Sequence, residues 1–183
     1  MRKYFMLVPC LLLTIGMMAG CGDSENSSVQ TTGNRLVSSQ EPVENEISSN
    51  VTELTVNFGE DGAPFILHLE DNDTAETIAR YVGTTDWRLP IYNYDESDVM
   101  EYYDIPSRYD IPSNPETVTT AKAGEVFYSD PNRVALYYQN AEISEEYTKV
   151  GYFDATEDFV SAVENNPVLE NWGNKIILIS DGE

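Results

Sequence analysis

The chain has little of three things on which many enzymes and metal proteins depend: cysteine, histidine and positive charge. Its 183 residues include two cysteines, one histidine, and ten lysines and arginines. Both cysteines, Cys10 and Cys21, lie near the start, so the rest of the chain cannot build a disulfide framework or a thiolate metal site. His68 is the single histidine, which leaves a zinc site without ligands and a nucleophilic triad with one candidate base.

The scarcity of positive charge is matched by an excess of negative charge. The chain has 32 aspartates and glutamates and a formal net charge of −22. Such a charge repels phosphate backbones and anionic membrane surfaces, so we expect no nucleic-acid partner. Solubility is the plainest explanation of the charge, while basic partners and loose cation binding stay open as alternatives. A glycine-rich phosphate loop is also missing from the sequence.

The first 21 residues read as an export signal. Met1-Arg2-Lys3 is a short basic region, and an apolar run follows from residue 4 to residue 18. This run has about fifteen residues and is shorter than the roughly twenty that span a bilayer as a helix. Ala19 and Gly20 then precede Cys21 and supply the small side chains that a signal peptidase needs near its cut.

The stretch around Cys21 resembles a bacterial lipobox, although Met18 stands where leucine is usual. The resemblance implies a signal peptide over residues 1–20, cleavage before Cys21 and a diacylglycerol thioether on its sulfur. Attached acyl chains would hold the protein on the membrane. We therefore expect an extracytoplasmic protein that is lipid-anchored to the bacterial cell membrane through Cys21.

Residues 21–50 are predicted to be a disordered tether. After Cys21 this segment is rich in serine, threonine, asparagine, glutamine and glutamate, and it contains no aromatic residue. Such a composition cannot bury enough apolar surface to fold, and it would space the folded part from the bilayer. Residues 51–183 are predicted to form one domain.

Strand patterns dominate this domain. Residues 53–58 alternate polar and apolar, which predicts a half-buried strand, and Asp61-Gly62 predicts a hairpin turn to the next strand. Asp73 and Glu76 predict a capping box that starts a helix ending at Gly83. The predicted strands cover residues 53–58, 65–69, 87–94, 102–103, 125–129, 133–138, 147–154 and 172 or 174 to 179, and a second helix covers residues 157–165. A barrel would hide the strand edges.

Four short strings in this order resemble the bacterial cyclophilin-like domain. They are Glu101 to Pro106, Lys122 to Glu125, Arg133 to Tyr138 and Tyr147 to Gly151. The resemblance covers roughly residues 52–180, and the order and spacing of the strings carry it. It implies a mainly β fold: a closed or nearly closed cyclophilin-like β-barrel with two short helices.

The string YDIPS occurs twice, as Tyr103 to Ser107 and as Tyr109 to Ser113. Pro106, Pro112 and Pro115 remove backbone donors and favour extended geometry in the residues before them, so we predict a loop through Glu116 rather than a strand or helix. A proline-rich recognition segment is the alternative, but PxxP spacing is absent. In the family that this chain resembles, the same position is a proline-containing connection.

The resemblance also raises the possibility of prolyl isomerisation, which uses an arginine beside an apolar pocket. The Arg-x-x-x-x-Phe-x-x-Gln string of eukaryotic-type enzymes is missing, and Arg88 is the only arginine near the analogous strand. Without a well-placed donor to the prolyl amide, the barrier should fall little. We therefore expect a binding or accessory module without efficient catalysis and assign no catalytic residue. A divergent peptidyl-prolyl isomerase assisting exported proteins is the alternative.

Tyrosines on the predicted strands are the candidate ligand-binding residues. Tyr102 and Tyr103 are neighbours, as are Tyr137 and Tyr138, so one of each pair should face the barrel interior or mouth. Together with Arg88 they are predicted to line a cleft for a peptide segment or a small molecule. Core and surface packing is the alternative role for these rings.

No metal site or cofactor is predicted. Asp71 to Glu76 begins like a calcium loop, but it lacks the required glycine, and a helix cap explains it better. The acidic run from Asp95 to Asp98 is interpreted as a solvated loop. The sequence does not indicate an oligomeric state.

Overall fold

The computed structural model describes residues 51–93 and 98–182. The predicted signal peptide (residues 1–20), the predicted lipidation site Cys21, the predicted tether (residues 21–50) and most of the acidic run after Tyr94 lie outside these residues. The described elements are β1 (Glu53–Phe58), β2 (Pro64–Leu69), α1 (Asp73–Val82), β3 (Trp87–Asn93), β4 (Met100–Asp104), β5 (Glu116–Ala121), β6 (Glu125–Ser129), β7 (Arg133–Tyr137), β8 (Ala141–Phe153), α2 (Glu157–Glu164) and β9 (Lys175–Ser180).

Eight of these strands form a closed antiparallel barrel. Their order is β2-β1-β9-β3-β4-β7-β6-β8, and β8 returns to β2. The closing seam pairs Leu67 with Phe153 and Leu69 with Gly151. Closure satisfies the strand edges that an open sheet would expose. The predicted closed β-barrel with two short helices is confirmed.

The barrel interior holds the main hydrophobic core. Leu54, Val56 and Phe58 alternate along β1 and are each at most 3% exposed. Helix α1 buries the predicted face, which consists of Ala75, Ile78, Ala79 and Val82. Helix α2 inserts Phe159, whose ring lies 4.9 Å from Phe153 and 5.9 Å from Phe58 between centroids. Aromatic and β-branched residues on the strands therefore pack against both helices.

A ninth strand lies outside the barrel. β8 is 13 residues long, and its first part, residues 141–147, pairs with β5 rather than with a barrel strand. β5 and residues 141–147 are called the outer ribbon below. A second apolar cluster packs the ribbon against the outer side of β4, β6 and β7. It contains Met100, Ala121, Phe127, Ala135, Tyr137 and Tyr147.

The doubled YDIPS forms a loop over residues 105–115, as predicted. Ile105 and Ile111, which occupy the same position in the two copies, are both buried in the main core. The first copy is also fixed to Asn132, whose carbonyl accepts from the Ile105 amide at 2.8 Å. The strand predicted over residues 102–103 is longer in the structure, where β4 extends from Met100 to Asp104. The predicted loop ends one residue earlier than expected, because Glu116 begins β5.

Other predicted boundaries need correction. The N-cap of α1 is Asn72 rather than Asp73: Asn72 has an extended backbone, and its Oδ1 accepts from the Ala75 amide at 3.0 Å. The last strand begins at Lys175 because Gly173 adopts a φ of 69° in a turn. Strand β5 and residues 141–146 of β8 were not predicted. Neither described helix has the length and apolar character needed to cross a membrane.

Candidate functional site

A groove of about 810 Å³ lies between the outer ribbon and the barrel wall. We call it the ribbon groove. Strands β5, β6 and β8, the turn before α1 and the second YDIPS copy form its walls. The lining residues are Glu70, Asn72, Asp73, Thr74, Pro112, Ser113, Asn114, Glu116, Val118, Thr120, Glu125, Phe127, Tyr147, Thr148 and Lys149.

Two stacked aromatic rings form the floor of the ribbon groove. The rings of Phe127 and Tyr147 lie 5.3 Å apart between centroids with an interplanar angle of 21°. The ring of Tyr137 contacts the ring of Phe127 edge-on, with 5.9 Å between the two centroids. Phe127 is available for this stacking because side chains alternate along β6: Val126 and Tyr128 point into the barrel core, while Phe127 points outward. The floor is therefore a rigid apolar surface.

Lys149 places a fixed positive charge beside this floor. Its Nζ lies 3.1 Å from Glu125 Oε1 and 3.2 Å from Glu70 Oε1. Burial alone would lower the pKa of Lys149, but the hydrogen bonds to both carboxylates outweigh it and raise that pKa. Lys149 therefore stays protonated and links β8 to β6 and to the turn before α1.

The second YDIPS copy is held against the groove by polar contacts. Thr74 donates its hydroxyl to the Pro112 carbonyl at 2.7 Å, and the Asn114 amide donates to Thr148 Oγ1 at 2.9 Å. Ser113 donates to the carboxylate of Asp130 at 2.8 Å. The loop is thus a fixed wall of the groove, since each of its polar contacts reaches a different element.

A second cavity of about 320 Å³ adjoins Tyr147. Tyr147 lines both spaces, and Met100, Tyr137 and Ile143 give the second cavity an apolar character. Arg133 also lines it. The Arg133 Nε donates to Asp104 Oδ1 at 2.9 Å, and its guanidinium carbon lies 4.1 Å above the ring of Tyr102.

Comparison with known proteins identifies the domain. The sequence profile of the Cyclophilin-like family matches residues 58–169. The chain belongs to the cyclophilin-like family. No curated protein matches the sequence.

A solved structure of McbB in complex with tryptophan is similar to this cyclophilin-like chain. The TM-score is 0.51 and the sequence identity is 15%. The similarity covers 71% of this chain but 45% of the McbB chain, so the chain spans less than half the length of that protein. At this identity the similarity shows the fold alone.

The cyclophilin-like barrel divides the four predicted tyrosines between its two faces. Tyr103 and Tyr138 belong to the main core, whereas Tyr102 and Tyr137 lie on the outer side. Burial raises the pKa of Tyr103. Burial, together with the charges of Glu101, Glu164 and Asp98, raises the pKa of Tyr138 to about 12. Of the four predicted tyrosines, Tyr137 lines one of the two described cavities.

Arg88 lies apart from these tyrosines. It projects from β3, forms an ion pair with Glu60 and stacks 4.1 Å from the ring centre of Trp172. Neither described cavity includes Arg88 in its lining. The ligand-binding role of the predicted residues stays a prediction.

The sequence reasoning missed the residues that form the ribbon groove. Lys149, Glu125 and Phe127 were placed on strands but were not singled out, because the groove exists only where the ribbon crosses the barrel. The alternation of Tyr147, Thr148 and Lys149 was the available signal, since it puts an aromatic ring and an amine on one face.

A buried ion pair lies elsewhere in the barrel. Lys175 Nζ is 2.5 Å from Glu101 Oε1, and the Glu101 side chain is 1% exposed. The other oxygen, Oε2, has no hydrogen-bond partner among the described residues. Burial raises the pKa of Glu101, and Lys175 opposes that shift. Within residues 51–93 and 98–182, no group of three or more acidic, histidine or cysteine side chains is arranged to hold a metal ion.

Proposed function

We propose that this cyclophilin-like domain is a binding or accessory module, lipid-anchored through Cys21 on the extracytoplasmic side of a bacterial cell membrane. Its ligand is a peptide segment or a small molecule that binds in the ribbon groove. No cofactor takes part in this function. The observation that carries the proposal is the groove itself, which combines an apolar aromatic floor with fixed charges and walls tied to separate elements.

The polar groups around the groove suit recognition because they are already positioned. Lys149 is held by two carboxylates, and Pro112 and Asn114 are held by side chains of α1 and β8. A preformed site loses little conformational entropy on binding. The volume of about 810 Å³ also lies within the range of small-molecule and peptide sites.

The test is a titration of the protein with a set of proline-containing peptides, followed by NMR on both partners. We expect amide shifts at Phe127, Tyr147 and Lys149 and an unchanged cis–trans exchange rate of the peptide. Shifts confined to residues outside the groove contradict this site. If no peptide binds, a small-molecule series follows, and the absence of binding in both series contradicts the proposal.

Divergent prolyl isomerase activity is the second candidate. The observation that favours it is Arg133, which lies beside the partly apolar cavity of Tyr137 and Met100. Its Nε and Nη2 atoms already bind the Asp104 carboxylate, however, so fewer donors can reach a prolyl amide. Faster cis–trans exchange of the peptide at catalytic amounts of protein would establish isomerase activity, provided that Arg133→Lys abolishes it. That result would replace the binding module as the proposed function.

A further inference from the structure

The charges in the ribbon groove are not balanced. The carboxylates of Glu70, Asp73, Glu116 and Glu125 line it together with the ammonium group of Lys149. Lys149 is bound to both Glu70 and Glu125, so its single positive charge offsets one of these two negative charges. Asp73 and Glu116 are exposed and form no ion pair with any residue that the structure describes. An occupant therefore meets more negative than positive charge, including two carboxylates without an ion pair among the described residues.

The whole chain strengthens this local preference. Its net charge is −22, and a cleft lined by carboxylates focuses such a negative field. A ligand with negative charge would be repelled both during approach and in the groove. A ligand with two positive charges would be attracted at both stages, which favours lysine or arginine side chains over neutral groups.

The outer ribbon also offers a backbone edge. β5 stands at the end of the strand order and pairs only with β8 among the described strands. The opposite edge of β5 therefore presents backbone donors and acceptors to which an extended segment can pair. Glu116, Val118 and Thr120 alternate along β5, and all three line the groove. This spacing of two residues matches the spacing of side chains on one face of an extended peptide.

We propose that the occupant of the ribbon groove is an extended basic peptide segment. Its lysine or arginine side chains contact Asp73 and Glu116, its backbone pairs with β5, and an apolar side chain lies over the Phe127–Tyr147 floor. This inference rests on the proposed binding function and narrows its ligand class. A small cation could contact the carboxylates of Asp73 and Glu116, but it has no peptide backbone to pair with β5 and no apolar side chain to cover the Phe127–Tyr147 floor.

The experiment uses the full chain and three fluorescently labelled peptides of equal length and equal proline content. The peptides differ at two alternate positions, which carry lysine, glutamine or glutamate. Fluorescence anisotropy at about 150 mM salt measures each dissociation constant. We expect the lysine peptide to bind about tenfold more tightly than the glutamine peptide, the effect of two partly exposed charge contacts. The glutamate peptide should bind most weakly.

Paired variants separate a specific site from general attraction to an acidic protein. Asp73→Asn combined with Glu116→Gln removes two groove charges, and Asp61→Asn combined with Glu170→Gln removes two exposed charges that do not line the groove. The groove variant should lose the tenfold preference for lysine, and the control variant should keep it. Circular dichroism and urea unfolding confirm that both variants fold.

Two further probes test the peptide itself. A lysine peptide with N-methyl groups on alternate backbone nitrogens should bind about tenfold more weakly because methylation removes donors to β5. Spermidine should compete only at concentrations far above those of the peptide. Equal binding of the methylated peptide, or spermidine as effective as the lysine peptide, overturns the extended-peptide assignment.

The outcomes also distinguish this inference from the function on which it rests. If the three peptides bind the groove equally, the charge preference is wrong and the binding function stands. If the lysine peptide binds equally to the groove variant and the control variant, the site assignment is wrong. If none of the peptides binds, this inference fails. Small-molecule binding in the groove would then still support the broader function.

Discussion

Glu101 is a charged residue in an almost fully buried position. Its side chain lies on the inner side of β4 and is 1% exposed, and its charge acts on Tyr138. Lys175 compensates one oxygen from β9, and the second oxygen is unbonded within the described structure. A buried charge of this kind is tolerated only while its partner is present.

We therefore predict that Lys175→Met lowers the free energy of unfolding by about 3–5 kcal/mol at pH 7. The loss should be smaller at pH 5. Burial raises the pKa of Glu101 above its ordinary value of 4.5, and removal of Lys175 raises it further, so the carboxyl takes up a proton as the pH falls. Urea unfolding at both pH values measures the difference from the wild type.

The variant Glu101→Gln tests the direction of the Glu101 pKa shift. A raised pKa in the folded state means that the protonated form contributes stability below pH 4.5, and that this contribution is lost as the pH rises through the raised pKa. The stability of the wild type relative to Glu101→Gln should therefore fall from pH 4.5 to pH 7. A relative stability that rises over this interval contradicts the assigned direction.

Individual residues also explain the doubled YDIPS. Its two isoleucines, Ile105 and Ile111, are both buried, whereas its two serines are not. Each copy therefore supplies one apolar anchor for the same loop. The prolines allowed this loop to be predicted from the sequence. The anchoring by Ile105 and Ile111 could not be, since periodicity does not show which apolar loop residue meets the core.

At the scale of elements, prediction succeeded where one face of an element is buried. The interior residues of β1 and the buried face of α1 follow the periods of strand and helix, so the sequence predicted them. Strand β5 was not predicted, because the segment from Glu116 to Ala121 buries only Ala121. A strand that is exposed on both faces shows no alternation of polar and apolar residues. Without β5 the ribbon groove could not be predicted, although the residues of its barrel wall were assigned to strands.

Helix α1 begins at a residue with two structural roles. Asn72 accepts from the Ala75 amide through Oδ1, and its Nδ2 donates to the Lys149 carbonyl at 2.9 Å. We predict that Asn72→Ala lowers the free energy of unfolding by about 1–2 kcal/mol, because the cap and this link are both lost. Chemical denaturation measures the change.

Asn72→Ser is the matched control for that prediction. Serine retains an oxygen for the helix cap, but it has no amide group that can donate to Lys149. The serine variant should recover about half of the stability that alanine loses, and hydrogen exchange at Ala75 should return to the wild-type rate. Equal losses in the two variants would show that the cap contributes nothing.

At the scale of the whole molecule, the barrel depends on the seam between β2 and β8. Gly151 stands in this seam opposite Leu69, and a Cβ at its position would lie 2.2 Å from the His68 carbonyl oxygen. We predict that Gly151→Ala forces the two strands apart and lowers the free energy of unfolding by about 3 kcal/mol. Amide exchange should increase first at Glu70, whose amide donates to the Val150 carbonyl across this seam at 2.9 Å.

Gly83→Ala is the comparison for the seam variant. Its Cβ would have its nearest contact at 3.4 Å, and Gly83 has a right-handed helical backbone. This substitution should leave stability unchanged or raise it slightly, because alanine restricts the unfolded chain more than glycine does. A Gly151→Ala protein as stable as Gly83→Ala would mean that the β2–β8 seam tolerates a wider spacing.

The proposed attachment of the molecule to a membrane would depend on the sulfur of Cys21. We predict that a bacterial host incorporates an alkyne-labelled fatty acid into the wild-type protein and into Cys10→Ala, but not into Cys21→Ala. Cys10 is the matched control because it lies within the apolar run, which would be removed by cleavage before Cys21. Mass spectrometry of the purified wild type should give a chain that begins at the lipid-modified Cys21. Label in Cys21→Ala, or a wild-type chain that retains residues 1–20, would contradict the anchor and favour retention of the apolar run in the membrane.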